Sequence, residues 1–480
     1  MAEAEQPRSR EEVQQQLKDV QELLGRHRLV EDLVHRQDMP RQDLVEGLVH
    51  KQHVAELRER LDALHPADIA DLLETLPLDE RLFVWELVRA ERDGDILLEV
   101  SDAVRESLIE TMAPEELKAA AETLDADELA DLAPDLPEEV MEDVYLSLDL
   151  EERAQLRAAM SYTEDAVGAL MEFEMVTIRE DVSLEVVLRY LRRFEELPDH
   201  TDQLFVIDRS EQLRGVLPIN SLLINDPETT VAEVMIAEPL SLRPDDKAED
   251  AASAFERYDL VSAPVVNAEG RLMGRVTVAD VVDFIREDAD AEILNHAGLR
   301  EGEDIFAPVF DSVKNRWAWL AVNLVTAFVA SRVIGVFEGS IEKLVALAAL
   351  MPIVAGIGGN SGNQTITMIV RAMAMGQLSS DSALRLLKKE TGVALFNGLV
   401  WGSMLGVVAW LLYGGWQLGL VMTAATTLNL LLAAAMGVFI PMTMQRLGRD
   451  PALGSSVLIT ACTDSGGFFI FLGLATLFLV

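Results

Sequence analysis

The chain of 480 residues has one cysteine, Cys462. That excludes an intrachain disulfide and any metal cage built from several thiolates. Basic side chains are scarce early on: residues 1–310 hold 30 Lys and Arg against 75 Asp and Glu. Nucleic acid requires clustered Lys and Arg to displace its counterions, so no nucleic acid partner is expected. The same shortage argues against docking on an anionic membrane surface. The seven histidines all precede residue 297, and the cluster "HKQH" (His50, His53) has no carboxylate arranged for acid–base work. No Gly-rich loop carries a phosphate-binding Lys. Enzyme chemistry is therefore not expected. The opening "MAEAEQPRSREEVQQQ" lacks the apolar centre of a signal peptide, which predicts a cytoplasmic acidic half.

From residue 311 onward it is charge that is scarce, with seven acids and ten bases in 170 residues. Five apolar runs stand out: 317–337, 344–370, 392–412, 418–444 and 456–479. Each reaches the ~20 residues that cross the hydrocarbon of a bilayer. Lys314 and Arg316 precede the first run. Arg371, Arg385, Lys388 and Lys389 lie between the second and third, and Arg446 and Arg449 between the fourth and fifth. The alternate loops hold only Lys343 and the uncharged "YGGWQ". Basic loops face the cytoplasm, so the N-terminal half is predicted inside and the C-terminus outside. Arg332, near the outer end of the first run, is expected to snorkel.

Residues 10–62 keep a helical period, broken near "DMPRQD". Short helical pieces separated by Pro and Asp follow to Met160. "LHPADIADLLETLP" at 64–77 echoes "LDADELADLAPDLP" at 124–137, each with a capping Asp near the start. Repeated helix pairs of this kind predict a small α-solenoid. After Tyr162 the pattern changes to strand, helix, strand, turn, strand, helix, given twice. Val167–Met171 matches Val231–Met235, and Gly215 and Gly274 each follow a turn after an apolar strand. A charged helix is predicted from Val278 to His296.

Asp464 lies inside the last apolar run, and no Lys, Arg or His follows Asp450. A charge at mid-bilayer costs ~2.5–3.5 kcal/mol on insertion scales and marks a functional position by default. One reading is a carboxyl fixing helix packing beside Thr460, Thr463 and Ser465; the stronger one is a pore-lining carboxylate. The second run contains "MPIVAGIGGNSGNQTITM", with Pro352, four glycines, Asn360, Asn363 and Gln364. Gly and Pro weaken a helix, and interrupted backbone beside amides is how cation pathways are built. Close helix packing is the competing use of those glycines. Pro441 predicts a kink in the fourth run. Asn429 and Thr426 either face a pore or bond across helices. In "VADVVDFIREDADAEIL", Asp280, Asp283, Glu287 and Asp290 share one helical stripe. Like charges in a stripe repel unless a cation intervenes, and hard divalent ions prefer oxygen ligands.

These segments together resemble the MgtE family of magnesium channels over about residues 60–480. The motif carrying the resemblance is "PIVAGIGGNSGNQ", with "RLGRDPALGSS" and "TACTDSGGF" downstream; the tandem at 162–288 resembles a pair of CBS domains. The resemblance implies a multi-domain fold. It would comprise an N-terminal helical extension (1–60), an all-α superhelical N domain (61–160), an α+β CBS tandem (161–225 and 226–288), a connecting plug helix (278–310) and a membrane domain of five transmembrane helices (311–480). It implies a homodimer in the cell membrane with one pore at the dimer interface. Asp464 matches the family's filter Asp, and Asn360 a pore-lining Asn near it. Two carboxylates with neighbouring amide or carbonyl oxygens suit a small ion that keeps its water.

The family is closed by internal Mg²⁺ bound between its acidic cytosolic domains. Asp280, Asp283, Asp288 and Glu292 match metal positions of the plug helix, which makes Mg²⁺ both the transported and the regulatory ion. Mn²⁺, Co²⁺ and Ca²⁺ are further candidates for the same oxygen ligands. The chain departs from the pattern at position 291, which is Ala, and at the end of the first CBS unit, where "GVLPINSLL" carries Ser221 in place of the family's ATP-site Asp. ATP binding thus lacks its carboxylate there. The second unit keeps a Gly…Thr…Asp pattern in "GRVTVAD", but its Asp280 is the residue assigned to metal. Rival readings are an H⁺- or Na⁺-coupled divalent cation carrier and a membrane-anchored CBS sensor.

Overall fold

The computed structural model describes residues 14–26, 53–194, 196–297, 299, 305–374, 380–448 and 454–480. His50 and residues 449–453 of "RLGRDPALGSS" lie outside the described residues. The chain forms two compact units, Met1–Asp288 with Asp304–Ala307, and Ala289–Glu303 with Pro308–Val480.

The first unit begins with helices at 14–26 (α1) and 53–62 (α2). Eight short helices follow: α3 (Pro66–Glu74), α4 (Leu78–Trp85), α5 (Asp93–Glu99), α6 (Asp102–Ile109), α7 (Pro114–Ala121), α8 (Ala126–Leu132), α9 (Glu138–Ser147) and α10 (Leu150–Ala159). Proline sets their starts. Pro66 and Pro114 open α3 and α7, where a missing N–H costs nothing, and Pro77 and Pro137 cap α4 and α9. The sequence echo is real but its cap differs. Asp125 caps α8 as expected, whereas His65 caps α3 and Asp68 sits at the third helical position, its carboxylate accepting from the His65 N–H. α3 packs on α5, α7 on α9 and α8 on α10, and one core runs through Leu72, Leu73, Ile96, Leu97, Leu108, Leu129 and Leu132. Val20 and Leu24 of α1 are buried in that same core, so the described part of the N-terminal extension packs on the N domain.

A second repeat emerges here. Arg81 is fully buried; its Nε donates to Leu73 O (3.0 Å) and its Nη2 to Leu76 O (3.2 Å). Arg105 donates to Leu97 O (2.7 Å) and Val100 O (3.2 Å), the same offsets 24 residues on. Each guanidinium donates to two carbonyls at the end of the helix before it.

The tandem is an interlocked pair. β1 (Thr177–Arg179) lies parallel to β2 (Gln203–Ile207), which is antiparallel to β3 (Leu213–Pro218); β4 (Ser262–Val266) pairs antiparallel with β5 (Leu272–Thr277). Between them run α11 (Leu184–Leu191), α12 (Ile219–Ile224), α13 (Val231–Val234) and α14 (Ala248–Tyr258). Each half completes the other's edge: Ile236 bridges Val216 of β3, and Glu172 bridges Arg275 of β5. The repeated glycines make this possible. A Cβ on Gly215 would lie 2.5 Å from Ile236 O, and one on Gly274 2.5 Å from Glu172 O. α15 (Val278–Ala297) then leaves the end of β5, as the sequence predicts.

The second unit is helical: α16 (Val309–Val336), α17 (Glu338–Lys343), α18 (Ala346–Ala374), α19 (Ser380–Tyr413), α20 (Trp416–Arg446) and α21 (Ser455–Phe478). Among the described residues, four helices, at 312–336, 384–413, 416–446 and 455–478, are long and apolar enough to cross a membrane. α18 is 29 residues long but is not among them, because Asn360, Asn363 and Gln364 dilute its hydropathy. α18, α20 and α21 pack on one another around Val354, Met422, Ala425, Phe471 and Leu472. α19 joins α20 through Gly398, Gly402 and Gly406. A Cβ on Gly406 would lie 2.4 Å from Gly419 O, the approach that small residues permit between membrane helices.

One expectation about helix breaks is corrected: α18 runs unbroken through Pro352 and its glycines. Pro441 lies inside α20, which continues to Arg446. The glycines of α18 serve contact, not interruption. Cβ atoms at Gly358 and Gly362 would strike Asn429 and Ile459 side chains at 2.2 and 2.4 Å.

Candidate ion path and acidic face

Asp464 lies on α21, half-buried, and Asn360 lies exposed on α18. The two helices meet one residue before each: a Cβ on Gly359 would sit 3.6 Å from Thr463 Oγ1. That contact puts the amide and the carboxylate at one level on neighbouring helices. Thr463 is buried and returns its hydroxyl to Ile459 O (2.9 Å). Asn360, Gln364, Thr367 and Arg371 form the exposed stripe of α18. Asn429 is fully buried and bonds across helices, its Nδ2 donating to Val354 O at 2.9 Å. Thr426 is also fully buried. Arg332 is exposed on α16. Glu390, which the sequence reading passed over, is a buried carboxylate on α19, 3.4 Å from Thr365 Oγ1 of α18 and 3.2 Å from Lys389 Nζ. Its place beside three basic residues reads in sequence as part of a solvated loop.

The second group of acids surrounds the start of α15. Asp280 closes the Thr277–Asp280 turn: its Oδ2 accepts from Thr277 N and Oγ1, both at 2.8 Å. Behind it, Arg275 pairs with Glu172 at 2.6 Å and donates to Asp199 O at 2.7 Å. Glu172 and Asp280 face each other, and loss of water contact pushes the pKa of both upward. Asp283 and Asp288 follow on the exposed side of α15, and the Glu292 side chain lies outside the described residues.

The N domain presents acids to the same stripe. Asp127 is pushed up to about 7, first by desolvation and then by Glu128, Asp125 and Asp280. Asp131 is pushed up to about 6 by desolvation, against the pull of Arg105, and further by Glu287 and Asp280. Glu99 is raised by desolvation and by Asp283; Glu287 by desolvation, Asp102 and Asp283. So Asp280, Asp283 and Glu287 face Glu99, Asp102, Asp127 and Asp131 across a gap. Nothing in local sequence couples these residues, which lie 149 or more positions apart. Among the described residues, no three His, Cys, Asp or Glu side chains stand close enough together to hold a metal ion directly.

Comparison with known proteins gives three family matches. A profile described as a divalent cation transporter, MgtE, matches residues 351–474; that of the MgtE intracellular N domain matches 64–165; that of the CBS domain matches 231–287. The magnesium transporter MgtE of Thermus thermophilus is 34% identical over 433 residues, covering 88% of this chain and 95% of the relative. The magnesium transporter MgtE of Bacillus subtilis is 27% identical over 424 residues, covering 88% and 94%. Among solved structures, the cytosolic domain of the Mg²⁺ channel MgtE in complex with ATP is 33% identical, covers 50% of this chain and 97% of that one, and has a TM-score of 0.45.

Proposed function

The chain belongs to the MgtE family of divalent cation transporters, and on that premise we propose that it admits Mg²⁺ to the cytoplasm through a pore gated by its acidic domains. The observation that carries this reading is the packing of α18 on α21 at Gly359 and Thr463, the residues that precede Asn360 and Asp464. α18 is the fifth span, made polar by the residues that face the ion. Two chains form the pore, with the C-terminus outside. In support, only 6% of the apolar window of α16 is buried within the chain, which leaves that face for lipid or a second copy. The domain limits follow the sequence reading: N domain 61–160, CBS units 161–225 and 226–288, connecting helix to 310 and membrane domain to 480.

Asp464 attracts the hydrated ion, and Asn360 offers an amide oxygen to its water. Neither strips the shell, so the ion is held weakly enough to leave. Asp280, Asp283, Asp288 and Glu292 of α15 are the gate. When Mg²⁺ is abundant inside, it screens them from Glu99, Asp127 and Asp131. The two faces then pack, and the transported ion shuts its own path. When Mg²⁺ is scarce, the carboxylates repel and the faces separate.

The test is Mg²⁺ flux into proteoliposomes or growth of a transport-deficient cell. Asp464→Ala abolishes uptake at unchanged expression. Intact uptake in that variant overturns the pore and favours a membrane-anchored sensor. Unitary currents from the wild type exclude a carrier.

A further inference from the structure

Asn429 has chemistry that the ion path does not use. It is 0% exposed in the middle of α20, where an amide desolvated without full pairing is destabilising. Its Nδ2 is bonded to Val354 O, while its Oδ1 has no hydrogen-bond partner among the described residues. Two glycines make room for it. A Cβ on Gly358 of α18 would lie 2.2 Å from Nδ2, and one on Gly467 of α21 would lie 2.7 Å from the same atom. The amide therefore fills a slot opened by glycine on both sides. Gly358 is two residues from Asn360, and Gly467 is three residues from Asp464.

Thr426 occupies the same face of α20 one turn earlier and is also 0% exposed. Thr423, Thr427 and Thr443 on that helix return their hydroxyls to the carbonyl four residues back, at 3.0, 2.8 and 2.6 Å. Thr426 Oγ1 makes no such bond and has no partner among the described residues. The buried face of α20 is thus polar at two consecutive turns, at the level where the other two helices carry their candidate ion-facing residues.

We propose that Asn429 is a positioning residue for ion selection. Its amide sets the separation of α18 and α21, and so the distance between Asn360 and Asp464, from behind. This rests on the reading of those two residues as the ion path. Selection between hydrated ions of one charge depends on where oxygens stand relative to the shell, and a support left loose by an ångström loses it. Asn429 touches no ion. It acts through the carbonyl of Val354, which it ties, and through the two glycines, against which it is wedged. A leucine or alanine in its place would pack an apolar core as well but would leave α18 without a hydrogen bond from α20.

The experiment measures the ratio of Mg²⁺ to Ca²⁺ flux in proteoliposomes holding the full chain, beside its thermal midpoint in detergent. Asn429→Asp keeps the shape but turns the donor facing Val354 O into an acceptor. Asn429→Ser puts a hydroxyl in place of the amide and opens the slot. Leu430→Ala, one residue on and equally buried, controls for general loosening. Both Asn429 variants are expected to carry Mg²⁺ while the flux ratio falls by about tenfold, the scale seen when a supporting shell around an ion site is removed. Leu430→Ala is expected to lower the midpoint and leave the ratio. A ratio unchanged within about twofold in whichever Asn429 variant folds overturns the inference. So does a ratio that falls equally in Leu430→Ala. If the wild type carries no Mg²⁺, it is the pore reading that fails.

Discussion

Arg81 and Arg60 show how differently one residue type behaves in the N domain. Arg60 pairs with Asp19 at 3.2 Å with both side chains largely exposed, and such pairs contribute ~0–1 kcal/mol. Arg81 is sealed in the core, and two of its bonds are to the Leu73 and Leu76 carbonyls at a helix end. Arg81→Met keeps the apolar bulk but removes both charged donors from those carbonyls, at a cost of about 2–4 kcal/mol. The expected outcome is a clearly lower thermal midpoint for Arg81→Met and almost none of that loss for Arg60→Met. Equal midpoints would show that the buried bonds carry no net stability. This role was hidden from sequence. An Arg inside a short charged helix reads as solvated, and only the 24-residue match with Arg105 betrays it. Asp464 was legible for the opposite reason: a carboxylate among apolar neighbours stands out wherever it is.

Elements built on a period were legible, and those built on partners were not. The helical stripe of α15 and the duplicated strand–helix pattern of the tandem follow from side-chain spacing alone. The continuity of α18 does not. Whether a glycine breaks a helix or admits a neighbour depends on what stands opposite, and Asn429 and Ile459 are remote in sequence. The same holds for the acids facing α15. Asp283 is the cleaner probe of that helix, because Asp280 also closes the turn at its start. Asp283→Asn should relieve repulsion toward Glu99 and Glu287 yet remove an attraction for the gating ion. The expected result is incomplete closure at high internal Mg²⁺. The half-closing concentration should rise by roughly two- to threefold, the factor that ~0.5 kcal/mol of surface electrostatics supplies. Patch-clamp recordings at stepped internal Mg²⁺ measure it, and an unmoved curve removes Asp283 from the gate.

At the scale of the whole molecule, the acidic and the apolar halves answer to different solvents. The acidic half carries carboxyls whose protons are held more tightly in the folded chain than in the unfolded one: Asp127 up to about 7 and Asp131 up to about 6. Their contribution is complete below the ordinary carboxylate pKa of about 4 and is lost as pH rises through 6 and 7. Without divalent ions, limited proteolysis of the first unit should therefore quicken between pH 5.5 and 7.5, values bracketing those shifts. Millimolar Mg²⁺ should flatten the profile by doing at pH 7.5 what protons do at pH 5.5. A profile that rises with pH equally with and without Mg²⁺ would separate protonation from gating.

The crossed edges of the tandem carry one more consequence. Since Gly215 lies under Ile236 and Gly274 under Glu172, neither half owns a complete sheet. A truncation keeping one repeat would expose a raw border and aggregate. By the same interlock, a push on either half is delivered to both, and through β5 to the root of α15. The pair therefore answers a load as one body, and neither repeat can shift its sheet without carrying the other along.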